Sequence, residues 1–194
     1  EFHEGNLNGM PVVVVQCGVG KVNAAMCVQI LADLYDVTHI INTGVAGSLN
    51  PALDIGDILV SKDAIQHDMD AKGQIPGLEQ LAFAADEKLC KTAVEVCKKV
   101  NPDIHVTEGR VVSGDQFISS KEIKDALIAE FHPDCTEMEG ASIAQAAALN
   151  NIPYVVIRAI SDKADGSAQE DYPTFEKKAA EHCAKLVQEM MKEL

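Results

Sequence analysis

FHPDCTEMEGASIAQAAALNNIPYVVIRAISDKAD, residues 131–165, reads as a short strand, an alanine-rich helix over 140–149 and an apolar strand over 153–160. Each strand runs out into acidic residues. Ligands of open α/β sheets collect at the carboxyl ends of strands, where the turns expose backbone and side chains to a crevice. Glu137, Met138 and Glu139 stand at one such end, and Arg158, Ser161 and Asp162 at or beyond the next. Two carboxylate clusters and a guanidinium are thereby directed to one place.

The pattern repeats outward from this unit. MPVVVVQC (10–17) is β-branched without alternation and predicts a strand buried on both faces, after a first strand and turn in EFHEGNLNGM. Gly18-Val19-Gly20-Lys21 turns into a helix reaching Tyr35, with Ala24, Val28 and Leu31 at helical spacing. The glycine pair completes neither a dinucleotide fingerprint nor a P-loop. HIINTGVAGSLNP (39–51) is a strand entering a loop of small residues, and DILVS (57–61) is another strand. A helix over 86–100, a strand over 104–114 and a helix from about Lys121, capped by Ser119-Ser120, precede the central unit. A final helix spans about Thr174 to Lys192, burying Phe175, Ala179, Cys183, Leu186 and Met190. The alternation predicts a single α/β domain over 1–194: a twisted, mixed, largely parallel sheet flanked by helices.

A net charge of -14 and a pI near 4.7 exclude a basic nucleic-acid or anionic-membrane surface. The six cysteines form no C-x-x-C pair, so reduced thiols in the cytoplasm are expected, without disulfides or zinc. His67, Asp68 and Asp70 fit no zinc spacing and read as a solvated polar turn. No apolar run approaches the roughly 18–20 residues of a membrane span.

Paired carboxylates beside an aromatic platform fit cleavage of a glycosidic bond, one group protonating the leaving atom and another serving water or a cationic transition state. An acid with a reference pKa of about 3.9 holds its proton near neutrality only where burial or a neighbouring carboxylate raises it. Asp162, just past the most apolar strand, is best placed for this. Phe117, in a chain with five Phe, three Tyr and no Trp, is either core or a stacking surface for a planar ligand.

VSGDQFI (112–118), TEMEGASIA (136–144), RAISDKAD (158–165), INTGVAGSL (41–49) and GVGKVNAA (18–25) resemble, in order and over essentially the whole chain, the 5'-methylthioadenosine/S-adenosylhomocysteine nucleosidases of the nucleoside phosphorylase superfamily. The resemblance implies a nucleoside phosphorylase-like fold and irreversible hydrolysis of the adenine N-ribosidic bond of methylthioadenosine, adenosylhomocysteine and 5'-deoxyadenosine. It places the chain in methionine salvage and methyl-cycle recycling, as a cytoplasmic homodimer without cofactor or metal. By the same resemblance Asp162 protonates adenine N7 and Ser161 orients it. Phe117 stacks on adenine, and the Ile118 backbone bonds its edge. Met138 packs beneath the ribose, Glu139 accepts from its hydroxyls, and Arg158 with Glu139 places the water. Ala46, Gly47, Val19 and Glu137 complete the substrate cavity.

Two departures accompany the resemblance. The family's first strand and its glutamate-bearing turn are not found in the sequence, so no residue is assigned as the base acting on water. The stretch between Asp70 and Gly73 is shorter than the family's aromatic-containing loop, which reaches the 5'-substituent. Real losses would predict a poorly stable, inactive fragment. A phosphorolytic relative would carry arginine where Asn42 stands, and Arg110 and Arg158 are the only arginines, so hydrolysis is favoured. Futalosine hydrolysis and non-catalytic nucleoside binding are the alternatives.

Overall fold

The computed structural model describes residues 1–70 and 82–194, with the side chains of all of these except 169–173. The stretch between Asp70 and Gly73, where a shortened loop is expected, lies largely outside the described residues.

Strand β1 (Phe2–Leu7) and strand β2 (Met10–Val15) form a hairpin. Its turn is Asn8-Gly9, both with positive φ (53° and 91°), the combination that matches the twist of paired strands. Helix α1 (Lys21–Tyr35) leads to β3 (Ile40–Ser48), β4 (Ile58–Gln66) and the short β5 (Ala82–Ala84). Helix α2 (Glu87–Val100) starts on Asp86, which accepts from Leu89 N at 2.8 Å. Then follow β6 (Val106–Ser113), α3 (Lys121–Phe131), β7 (Cys135–Glu137), α4 (Gly140–Leu149), β8 (Tyr154–Asp162) and α5 (Ala168–Met190).

The main sheet runs β5-β4-β6-β7-β3-β8, and β8 pairs back onto β4, so the sheet curls round on itself. The long pairings β3–β8 and β4–β6 are parallel, while β7 joins β3 antiparallel. Every residue of β8 is buried, as expected of the most apolar strand. Its side chains divide by alternation. Tyr154, Val156 and Ile160 pack with α1 and the alanines of α4, and Val155, Ile157 and Ala159 with α2 and α5.

Two expectations are corrected. Strand β2 is only half-buried, because among the described residues β1 alone pairs with it and its other edge opens on a cavity faced by β3. Helix α5 begins at Ala168, earlier than the expected Thr174, because Asp165 organises the turn before it by accepting from Ser167 N–H and O–H at 3.0 and 2.9 Å. Among the described residues no helix is long and apolar enough to cross a membrane.

Candidate active site

The acidic corner between β7 and α4 divides two carboxylates between two jobs. Glu137 ends β7 with its side chain only 2% exposed. Its oxygens accept from Gly140 N at 2.7 and 2.9 Å, from Glu139 N at 3.1 Å, and from Ser113 Oγ and Arg158 Nη2. An anion here satisfies amides at the start of α4 and neutralises the guanidinium. Both its oxygens are engaged within the protein. Glu139, at the N-cap position of α4, makes no capping bond. Its Oε1 instead accepts from Gly20 N at 2.9 Å, and its Oε2 lies 3.5 Å from Arg158 Nη2. Burial pushes the Glu139 carboxyl above its ordinary pKa, against the opposing pull of Arg158 and the Gly20 amide.

Arg158 projects from the middle of β8 and is 4% exposed. Its Nη2 also donates to Asn42 Oδ1 at 2.8 Å. The guanidinium lies so close over Gly44 of β3 that a Cβ there would collide with Nη1, and a glycine inside a strand is the sequence sign of such an approach. Arg158 Nε is buried, with no hydrogen-bond partner among the described residues.

The second centre is the end of β8. Asp162 is 3% exposed; its Oδ2 accepts from Ser161 Oγ at 2.8 Å and its Oδ1 from Ala164 N at 2.8 Å. These two donors orient the carboxyl group. The β3–β8 register shifts between Ala46 and Gly47, which brings Gly47 opposite Asp162. A Cβ on Gly47 would stand 2.8 Å from Asp162 Oδ1, so only glycine admits the carboxylate.

Val19, Ala46, Gly47, Phe117, Ile118, Glu137, Met138, Glu139, Arg158, Ser161 and Asp162 all line one cavity of about 1710 Å³. Phe117 is 48% exposed and therefore not a core residue, whereas Ile118 is buried. The volume exceeds the roughly 300–1,000 Å³ of a ligand pocket. The cavity continues into a slot between β2 and β3, walled by Leu31 and Tyr35 of α1 and by Val187 and Met191 of α5. Among the described residues, β2 carries no second partner along this slot, and β3 pairs beyond β8 only at Gly47 and Ser48.

His67 and Asp68 depart from the solvated turn expected of them. Asp68 is 18% exposed and its Oδ1 is 2.5 Å from Lys21 Nζ, because the turn packs against the start of α1. His67 is partly buried, with its pKa lowered by that burial and Nε2 lacking a partner among the described residues. Among the described residues no three His, Cys, Asp or Glu side chains converge as metal ligands. Sequence reading did not bring Gly20 or Ser113 to this corner, and it had Asn42 only as the place of a phosphorolytic relative's arginine and Gly44 only as one of the small residues of a loop. The glycines carried a signal, since unexplained glycines mark close backbone approach.

The chain matches the sequence model of the Phosphorylase superfamily over residues 1–192. It is 40% identical over 201 residues to a 5'-methylthioadenosine/S-adenosylhomocysteine nucleosidase of Anoxybacillus flavithermus, covering all of this chain and 85% of the relative. Among solved structures, the nucleosidase of that name from Colwellia psychrerythraea in complex with adenine superposes with a TM-score of 0.94 at 36% identity, covering all of this chain and 82% of the other. A futalosine hydrolase of Helicobacter pylori superposes with a TM-score of 0.93 at 35% identity, covering all of this chain and 84% of the other.

Proposed function

Because the chain belongs to the Phosphorylase superfamily, and within it to the 5'-methylthioadenosine/S-adenosylhomocysteine nucleosidases, we propose that it hydrolyses the adenine N-ribosidic bond of these two nucleosides and releases adenine. The observation that carries the reading is the sharing of one cavity by Asp162, held by Ser161, and Glu139, paired with Arg158. As the bond to adenine breaks, electrons flow into the purine and positive charge develops on the sugar. Asp162 delivers a proton to adenine N7, with its carboxyl plane set by Ser161 and Ala164. Phe117 stacks on the base, and the Ile118 backbone bonds its edge. Met138 packs beneath the ribose.

Glu139 accepts from the ribose hydroxyls, and its charge stabilises the cationic sugar more than the neutral substrate. Arg158 holds the water with Glu139, while Glu137 acts through Arg158 as its buried counter-ion. The base that activates the water is not assigned to a described residue. An extended strand seated between β2 and β3 would pair with both open edges and run beside Arg158, and we assign the base to such a strand. Apolar walls on both faces of the slot support this.

Water rather than phosphate is the nucleophile in this reading. Arg158 is committed to Glu137, Glu139 and Asn42, and Arg110 to Asp63 through bonds of 2.9 and 2.7 Å. The Glu137 and Glu139 carboxylates beside Arg158 would repel a phosphate, and Arg110, bound to Asp63, does not join it in a clamp. Release of adenine from methylthioadenosine, measured with and without phosphate for the 194-residue chain and for a chain extended by a glutamate-bearing first strand, tests both points. Phosphate-independent release is expected, and dependence on phosphate would overturn it. Futalosine is the second substrate to assay, because the adenine contacts would be shared.

We further assign the cytoplasm as its compartment and the homodimer as its assembly. Helix α1 buries Ala24, Val28 and Leu31 on one face yet exposes Val22, Met26 and Leu34 (70, 58 and 73%) on the other. Covering that second apolar face is what a partner copy supplies. Sedimentation should give twice the chain mass, and Met26→Asp should halve it.

A further inference from the structure

Three polar residues outside the cavity form a closed ring behind the turn at Gly18–Gly20. Lys21 Nζ is 2.5 Å from Asp68 Oδ1 and donates to Gln66 Oε1 at 3.1 Å. Asp68 Oδ2 accepts from Asp115 N at 3.0 Å, and Asp115 Oδ1 accepts from Lys21 N at 2.8 Å. The ring ties together the start of α1, the turn after β4 and the turn after β6, segments remote in sequence. The Lys21 and Asp68 side chains are 17% and 18% exposed, so solvent weakens this ion pair less than the surface pairs of the molecule. Burial pushes the Asp68 carboxyl up, but Lys21 and the Asp115 amide outweigh it and hold its pKa low.

The ring ends on the site. The amide of Lys21 is held by Asp115, and the adjacent amide, Gly20 N–H, is the shortest hydrogen bond made by the Glu139 side chain, at 2.9 Å. Gly20 has φ +96°, and a Cβ on it would stand 3.0 Å from Asp115 Oδ1, so the turn is shaped around the same aspartate. Only φ and ψ of Gly20 separate the two peptide planes, so holding the Lys21 amide narrows the directions open to the Gly20 N–H. Glu139 makes no capping bond, and Arg158 stands 3.5 Å from its other oxygen, so the Gly20 amide shares with Arg158 the task of fixing the carboxylate.

We propose that Lys21, Asp68 and Asp115 are positioning residues for Glu139, acting through the Gly20 amide to set the carboxylate that receives the ribose. The proposal rests on the nucleosidase reading. Its test is a double-mutant cycle of Lys21→Met with Glu139→Gln in the Asp162→Asn background, where the nucleoside survives the measurement. Affinities for methylthioadenosine and for adenine are read by calorimetry. Lys21→Met should weaken methylthioadenosine about tenfold and leave adenine within about twofold, as the base is held by Phe117 and Ile118. With Glu139→Gln already present, Lys21→Met should add no further loss.

An undiminished affinity in Lys21→Met overturns the proposal. So does a parallel loss of adenine and nucleoside, or an unaltered Lys21 effect in the Glu139→Gln background, since either marks a general structural role. Should Lys21→Met not fold, Asp68→Asn carries the same cycle, because it keeps an oxygen for the Asp115 amide and removes only the charge facing Lys21. If the parent protein binds neither adenine nor methylthioadenosine, the nucleosidase reading fails, whereas binding with an ineffective Lys21→Met sinks the ring alone.

Discussion

Asp162→Asn separates the chemistry of the site from its architecture. In the folded protein Asp162 Oδ1 accepts from Ala164 N at 2.8 Å and Oδ2 from Ser161 Oγ at 2.8 Å. Asparagine keeps the first bond with its carbonyl oxygen. At the second its amide donates, and Ser161 Oγ becomes the acceptor. The serine hydroxyl is then free to donate to Ala46 O, 3.4 Å away. Of these two bonds one is reversed and the other kept, so their change should alter stability by no more than about 1 kcal/mol. The proton for adenine N7, by contrast, has no source. A positioned general acid contributes about 10²–10⁴ in rate, or about 2.7–5.4 kcal/mol of barrier. Adenine release followed spectrophotometrically should fall by that factor, with the melting temperature and the affinity for adenine retained. Turnover within about fivefold of the parent, a barrier change of only about 1 kcal/mol, would refute the acid role of Asp162.

Glu137→Gln should destabilise the protein by about 3–5 kcal/mol, because it leaves the buried Arg158 guanidinium without its nearest counter-ion; an unchanged denaturation midpoint would sink this. Glu139→Gln should do the reverse. Burial raises the folded-state pKa of Glu139, so the folded protein holds that proton more tightly than the unfolded chain, and the stabilisation this gives at low pH is lost as pH rises through the raised value. The glutamine variant should therefore be the more stable at neutral pH, with the difference closing in acid, while turnover collapses; a glutamine variant less stable at neutral pH would contradict the burial argument. For the same reason parent activity should fail in acid at a higher pH than an ordinary carboxylate sets. Phe117→Ala should weaken adenine binding by about 1–3 kcal/mol with little loss of stability, as the ring is 48% exposed. Loss of stability with unchanged affinity would return Phe117 to the core.

The sequence by itself determined the order and type of most elements, since apolar periodicity and turn residues are local properties. The apolar run of β8, the helix over 86–100 and the serine-capped start of α3 were legible in this way. So was the fall of the acidic residues at strand ends. Tertiary structure alone decided what each carboxylate does. Glu137 and Glu139 sit two residues apart in one motif, yet Ser113, Arg158 and the amides of Gly140 and Glu139 consume the first, while Gly20 holds the second beside the cavity. Desolvation and hydrogen-bond satisfaction depend on neighbours brought from far along the chain, and no local pattern encodes them. The same reason explains β2, whose apolar run reads as fully buried but whose exposure is set by which strand lies beside it. It also explains Lys21 and Asp68, ordinary surface residues in sequence, which folding joins into one half-buried ion pair because the start of α1 meets the turn after β4.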